Sequence, residues 1–138
     1  MSDQVCCVEY VYVLVKNKPG EGAKILGAIR DRGINLLAFS GFPARASRAQ
    51  IDIVTDEMRS LQDLAQDMKW KLSKVKKGFL VHGDDRIGAV ADIICRLSKA
   101  KVNITAVDAV SAGEGRFGMI LWVKAASYKK AAKVLGAS

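Results

Sequence analysis

The sequence is poor in the residues that most chemistry needs. It holds one histidine, His82, and three cysteines, Cys6, Cys7 and Cys95. The cysteine count is odd, an adjacent pair is badly placed to bridge to itself, and no CxxC pair is present. Neither a disulfide framework nor a zinc site is expected, and reduced thiols in a cytoplasmic protein fit the pattern. No Ser/His/Asp or Cys/His grouping, phosphate loop or metal-ligand cluster is evident, which argues against an enzyme and against any cofactor or metal. Met1-Ser2-Asp3-Gln4 has no basic n-region and no long apolar run follows it. Neither a signal peptide nor a membrane span is expected. A charge surplus confined to one half of the chain is lacking too. The net charge is +8, but a cut after Lys77 leaves 13 Lys+Arg against 9 Asp+Glu before it and 9 against 5 after it. A surplus spread this evenly is a weak electrostatic footprint for nucleic acid.

What the sequence does have is itself, twice. The stretch from Val11 to about Met68 reappears from Phe79 to Gly136, shifted by 68 residues. Gly20 falls on Gly88, Ala23 on Ala91, Ile25 on Ile93, Asn35 on Asn103, Ala38 on Ala106 and Arg48 on Arg116. Val13 meets Val81, Leu26 meets Ile94, Ile29 meets Leu97, Leu36 meets Ile104 and Ile53 meets Leu121. A period this long points to a duplicated globular unit rather than a solenoid. Half the residues are hydrophobic, so a real core is expected. Each copy alone is small enough to be marginal in buried surface, so packing against a neighbour is expected.

The periodicities place the elements. Val8 to Val15 is β-branched and aromatic and reads as a buried strand. It stops at Asn17-Lys18-Pro19-Gly20. Ile25, Leu26 and Ile29 recur at helical spacing from about Gly20 to Arg32, and Gly33 ends that helix. Strands follow at Asn35 to Phe42 and Gln50 to Thr55, with a turn at Pro43 to Ser47. A helix at Met58 to Met68 carries Leu61, Leu64, Ala65 and Met68 on one stripe, and a short strand runs from Trp70 toward Lys77. Copy two repeats the order: strand Gly78 to His82, helix Gly88 to Ala100, strands Asn103 to Val110 and Phe117 to Val123, helix Ser127 to Leu135. The expected fold is α+β: two ferredoxin-like βαββαβ units, 1–77 and 78–138, each an antiparallel sheet with helices on one face. The second unit lacks its last strand, because Ser138 lies only two residues past the counterpart of Met68. Either the unit does without that strand, or the native chain runs further, or another segment fills the slot, Val5 to Val8 being the candidate.

The strand followed by Asn17-Lys18-Pro19-Gly20-Glu21-Gly22, a helix and Gly33-Ile34-Asn35-Leu36 resembles an ACT domain. Copy two resembles one through Asp84-Asp85-Arg86-Ile87-Gly88 and Lys101-Val102-Asn103-Ile104. ACT domains are small regulatory modules that commonly bind amino acids. The resemblance implies a ligand lying between adjacent domains, and it implies ligand contacts for Asn17 and Asn35 and their surroundings Lys18, Pro19, Gly20, Glu21 and Gly22. In copy two it points to Asp85, Arg86, Ile87, Gly88 and Asn103. Physical reasons support the placement. Glycine permits a tight turn near a ligand. The N–H groups of a first helical turn suit a carboxylate, and side-chain oxygens of the asparagines or Asp85 could accept from an ammonium. Copy two departs from the pattern, with Asp85 for the first asparagine and Ile87 for the proline. Two unequal sites are therefore expected, with copy one favoured. Val15 stands where some serine-binding members carry histidine, which counts against serine.

A plainer reading stays open beside this one. Gly20 and Gly88 could serve only helix packing, and Asn35 and Asn103 only their turns. Lys69 to Lys77 interleaves basic and apolar residues, which could be an electrostatic footprint for nucleic acid, but it reads more readily as a lysine-guarded edge strand that links the units. An RNA-binding module of RRM type has the same element order, but Arg48 to Val54 offers no aromatic for stacking and Arg116 to Trp122 lacks the glycine after the basic residue. The expectation is a cytoplasmic, non-catalytic sensor of an amino acid or similar metabolite. It would self-associate as a homodimer and act on a separate enzyme or transcription factor, with no membrane or nucleic-acid partner. The alternatives are an RNA-binding module or an ACT unit that serves only as a protein–protein regulatory subunit.

Overall fold

A computed structural model describes residues 3–138; Met1 and Ser2, where the N-terminal reading begins, lie outside it. Among the described residues six strands and four α-helices follow one another: β1 Gln4–Lys16, α1 Glu21–Asp31, β2 Ala38–Pro43, β3 Arg48–Val54, α2 Met58–Met68, β4 Lys76–Asp84, α3 Ala89–Lys99, β5 Ala106–Gly113, β6 Arg116–Trp122 and α4 Tyr128–Leu135. A single 3-10 turn, Ala125–Ser127, precedes α4. The chain divides into two compact units. The first is Glu9–Lys76, and the second joins the described residues up to Val8 to Lys77–Ser138. Both are α+β, with the antiparallel sheet and one-sided helices of a ferredoxin-like unit.

In the first unit the strand order is β2-β3-β1, all antiparallel. Alternation sends Val11, Val13, Ile51 and Ile53 to one face, where they meet Ile25 and Ile29 of α1 and Leu61 and Leu64 of α2. That is the period-2 face of a sheet receiving the period-3.6 stripes of two helices. Gly33, at φ +76, ends α1. The Gly33 N–H donates to Arg30 O at 2.9 Å and the Ile34 N–H to Ile29 O at 3.2 Å, which also carries Ile34 into the core.

The expected strand over 70–77 does not form. Residues 70–75 run beside β1 without a ladder: the Ser73 N–H donates to Tyr12 O at 2.9 Å, but the Tyr12 N–H donates to the Ser73 hydroxyl, also at 2.9 Å. A side-chain oxygen has taken the place of a ladder carbonyl, while Trp70 and Leu72 pack onto the core. Regular pairing begins only at Lys76, as β4.

In the second unit the order is β1-β4-β6-β5. Phe79, Val81, Met119 and Leu121 face Ile93 and Leu97 of α3 and Ala131 and Leu135 of α4. The Phe79 and Tyr128 rings stack at 4.5 Å, and the Tyr128 hydroxyl donates to Gly78 O at 3.0 Å. No strand follows α4 among the described residues. Its slot beside β4 is taken by the start of β1, whose Val5 lies in this unit's core. Ser138 closes the segment from beyond, with the Cys7 N–H donating to Ser138 O at 2.9 Å and the Ser138 N–H to Val5 O at 3.2 Å. A 13-residue β1 thus divides its length between two cores.

The 68-residue period is visible in the backbone bonds. The Gly33 and Lys101 pair, the Ala46 and Glu114 pair and the Ser47 and Gly115 pair all have positive φ at the same spacing. The period slips by one at the end. The residues closing α2 and α4 in left-handed conformation are Lys69 and Gly136, and their bonds to Gln66 O and Lys133 O match at a spacing of 67. Copy two is one residue shorter in the link that precedes its last helical segment, Val123 and Lys124 standing where copy one has Thr55 to Glu57, so the 68-residue match to Gly136 is corrected there.

Candidate functional site

Both copies build the same turn between the first strand and the first helix. Gly20 and Gly88 hold the N-cap positions at φ +92 and +85, and no side chain caps either helix. Those angles are what the glycines are for, since an L side chain is strained there. Each turn is tied to the hairpin loop of the next two strands. The Asn17 N–H donates to Ser47 O at 2.9 Å, and the Asp85 N–H to Gly115 O at 2.8 Å, the same bond 68 residues on.

Beside each turn lies a cleft on the helix side of the edge strand. In copy one it measures about 300 Å³. Asn17, Lys18 and Gly22 from the turn and helix close one side, and Phe39, Gly41 and Phe42 from β2 the other. In copy two it measures about 230 Å³ and is lined by the equivalent Asp85, Arg86, Val90, Ala109 and Val110. Ala49 on β3 and Phe117 on β6 occupy matching positions. The buried Phe117 ring fills what Ala49 leaves open.

The copies also differ in what their polar groups already hold. Asp85 accepts from the Ser111 hydroxyl at 2.9 Å. Arg86 donates to both carboxylate oxygens of Asp3, at 3.0 and 3.2 Å, to Asp92 at 3.1 Å and to Asp84 O at 2.9 Å. The Asp3 and then the Asp92 hydrogen bonds push the guanidinium further above its ordinary range. The Asp3 side chain is 95% out of solvent, and the Asp3 carboxylate occupies the space a Cβ would need at Gly83. The guanidinium expected to offset Asp85 for a ligand is thus engaged by the chain's own carboxylates. In copy one Glu21 pairs with Lys24 at 3.3 Å. Pro19 and Ile87 stand exposed on their turns.

Asn35 and Asn103 are not brought to these clefts by their own copies. They follow the C-terminal ends of α1 and α3, while Asn17 and Asp85 precede the N-terminal ends. An 11-residue helix separates each pair by about 16 Å. The Asn35 backbone is fixed instead: its N–H donates to Glu57 Oε2 at 2.9 Å and its carbonyl accepts from the Thr55 hydroxyl at 2.9 Å. Asn103 lines a separate depression with Lys101 and Ser98. The β2 residues Phe39, Gly41 and Phe42 were not among the expected site residues. The only sequence signal for them was two phenylalanines in a strand beside an otherwise small-residue turn.

No family model matches the sequence, and no curated protein matches it. Solved structures do match its fold. A Bacteroides thetaiotaomicron protein superposes on 96% of this chain and 88% of its own at TM-score 0.82 and 14% identity. The ligand-free regulatory subunit of aspartate kinase from Thermus thermophilus covers 99% of this chain and 95% of its own, at TM-score 0.69 and 14% identity. The fold is that of aspartate kinase regulatory subunits. E. coli aspartokinase III in complex with lysine and aspartate carries it within a longer chain, with 98% of this chain matching 32% of that one at TM-score 0.59 and 14% identity.

An RNA-stacking surface finds no support. Phe117 and Trp122 on β6 are 3% and 5% exposed, and β3 has no aromatic. His82 lies half-buried on β4 opposite Gly118 and lines neither cleft. Among the described residues no three His, Cys, Asp or Glu side chains group to hold a metal, and no helix is long and apolar enough to cross a membrane.

Proposed function

We propose that this chain is a non-catalytic regulatory protein of tandem ACT type that holds a small metabolite, an amino acid or a close analogue, at the strand–helix turn of copy one. The supporting observation is the pair of equivalent clefts, each built on an uncapped, glycine-started helix. The fold supports the same reading, because a protein that shares it was solved with lysine and aspartate. Copy one is the working site: its cleft is the larger, and its Asn17 side chain is not committed to a neighbour in the way Asp85 is. The two ACT-like domains are 1–77 and 78–138, with the residues before Glu9 lent to the second. Ligand binding favours one arrangement of the chain, and a separate enzyme or transcription factor in the cytoplasm reads it from a homodimer.

Calorimetric titration of the full chain with the twenty amino acids tests this. At least one should bind, and Asn17→Ala should weaken it without changing the circular dichroism spectrum. No binding by any of them, with a lysine-dependent shift of RNA instead, sinks the reading.

A further inference from the structure

The second unit gathers its cations on its helix face. From Gly115 to Ser138 the sequence holds five basic side chains and no acidic one. α3 and α4 lie over the same sheet, both packed on Phe79, Val81, Met119 and Leu121. Ala131 and Leu135 turn one side of α4 to that core, so Lys129, Lys130 and Lys133 stand together on its exposed side. On α3, Arg96 and Lys99 are exposed beside the buried Ile93 and Leu97, and Lys101 follows just beyond the helix. Among the described residues none of these six takes part in an ion pair. The single carboxylate on the two helices, Asp92, is held by Arg86. Copy one does not repeat the pattern. Ala28 and Asp31 stand where copy two has Arg96 and Lys99, Asp63 stands where it has Lys130, and Asp67 pairs with Arg32. Like charges gathered this way repel one another and cost the fold stability, so folding alone does not account for them. A groove of about 540 Å³ opens among them: Arg96 and Lys99 wall it, Cys95 and Leu135 form its less polar floor, and the Asp3–Arg86–Asp92 cluster completes it.

We propose that the α3–α4 face is a docking surface for an acidic peptide segment of a partner protein. Its carboxylates lie over Arg96, Lys99, Lys101 and the α4 lysines, and one apolar side chain enters the groove over Leu135 and Cys95. This goes beyond the small-molecule reading and does not rest on it. Charge complementarity sets the sign of the occupant, and the groove sets its class. A nucleic-acid backbone carries a charge about every 3.4 Å along each strand, so it would set phosphates against Asp92 in the same groove. A peptide alternates instead, placing carboxylates over cations and an apolar residue over the groove, as helix-in-groove ligands do. An anionic membrane surface asks for Trp, Phe or Leu free to insert beside the lysines. On α4 those groups are taken, since Tyr128 stacks on Phe79 and Leu135 is buried. Lysines on long stems keep their ammonium groups in water, so the face steers an acidic partner and holds it in a salt-sensitive way.

Fluorescence anisotropy of the full chain with a short labelled peptide of repeating Glu-Glu-Leu-Leu tests this. Two probes of matched charge stand beside it: poly-L-glutamate, which has no apolar residue, and single-stranded RNA. The peptide should bind more tightly than either, and its affinity should fall as salt rises. It should fall roughly tenfold or more in the double variant Arg96→Glu with Lys99→Glu and in Lys129→Glu with Lys130→Glu, as reversal of several exposed charges in one patch would give. At physiological salt the copy-one pair Lys16→Glu with Lys18→Glu should change it far less, because those charges lie outside this face. Circular dichroism checks that each variant folds. On the unaltered chain, bound peptide should protect Lys99, Lys130 and Lys133 from acetic anhydride, read by mass spectrometry. Affinity that persists in both reversed variants, or protection that falls on the copy-one lysines instead, overturns the docking surface. RNA binding more tightly than the peptide, and lost in the same variants, makes the face a phosphate-backbone contact and overturns it too. Poly-L-glutamate binding as tightly as the peptide removes the apolar anchor and leaves only diffuse charge, against the proposal. No binding by the peptide ends it.

Discussion

Gly83 carries more structural consequence than its sequence context suggests. A Cβ there would meet the Asp3 carboxylate and approach the Phe117 ring at 3.1 Å. Phe117 is in the core and Asp3 is held by Arg86, so neither yields freely. Gly83→Ala should cost about 1–3 kcal/mol, the usual range for overpacking, measured by urea denaturation. Adding Asp3→Ala should recover part of that loss, since the sites share a contact; strict additivity would mean that Phe117 alone resists. Lys101 offers the opposite case. It holds φ +60 where copy one has Gly33, a conformation costing a non-glycine residue about 1–2 kcal/mol. Lys101→Gly should raise the melting temperature, and an unchanged or lowered value would show that the strain is already relieved elsewhere. The asparagines separate by position. Asn17 lines the copy-one cleft and Asn35 lies about a helix length away. Asn17→Ala should weaken ligand binding, whereas Asn35→Ala should leave it unchanged unless a second copy of the chain presents its own Asn35 to the site, in which case the effect will depend on protein concentration.

At the scale of elements, the helices were legible because their apolar residues recur at 3.6 and their ends carry glycines: α2 runs from Met58 to Met68 as its stripe predicts. Two ends were not legible and a third was legible in part. β2 begins at Ala38 rather than Asn35, because Thr55 and Glu57 bind the Asn35 backbone and hold it in the turn. The strand expected after Trp70 was lost to the Ser73 hydroxyl, a local competition that alternation of lysines and apolar residues does not reveal. The reach of β1 back to Gln4 was legible in part, since the strand missing from copy two made Val5 to Val8 the candidate for its slot. The turn glycines were readable because both copies carry them, whereas Asn17 was picked out only by the resemblance of its turn, copy two having Asp85 there. The aromatic wall of β2 was not readable, since it depends on which strand lies beside the turn. If Val5 and Val8 occupy the vacant slot as described, their amides should exchange far more slowly than those of the 44–47 turn. Exchange at unprotected rates over Val5 to Val8 would remove the start of β1 from the second core.

At the scale of the whole molecule, the sequence repeat and the folded units are not cut at the same place. A cut at 77/78 respects the repeat but takes Asp3, Val5 and Val8 away from the core they serve. What remains is a three-stranded sheet with two helices in some 60 residues, a size at which a single core is only marginally stable. It would also expose the outer side of β4 as an unpaired edge beside bare apolar surface. Fragment 77–138 alone should therefore melt well below the full chain or aggregate. A peptide spanning residues 3–9, added in excess, should restore it by strand addition, contributing the Asp3–Arg86 pair, the buried Val5 and a row of backbone bonds. Melting temperature against peptide concentration reads this by mass action. The same peptide with Asp3→Ala and Val5→Ala should fail. Should the isolated fragment instead fold cooperatively at the full chain's melting temperature, with no response to peptide, the borrowed strand contributes nothing to that core. The 3–8 segment would then be a tether rather than the unit's fourth strand.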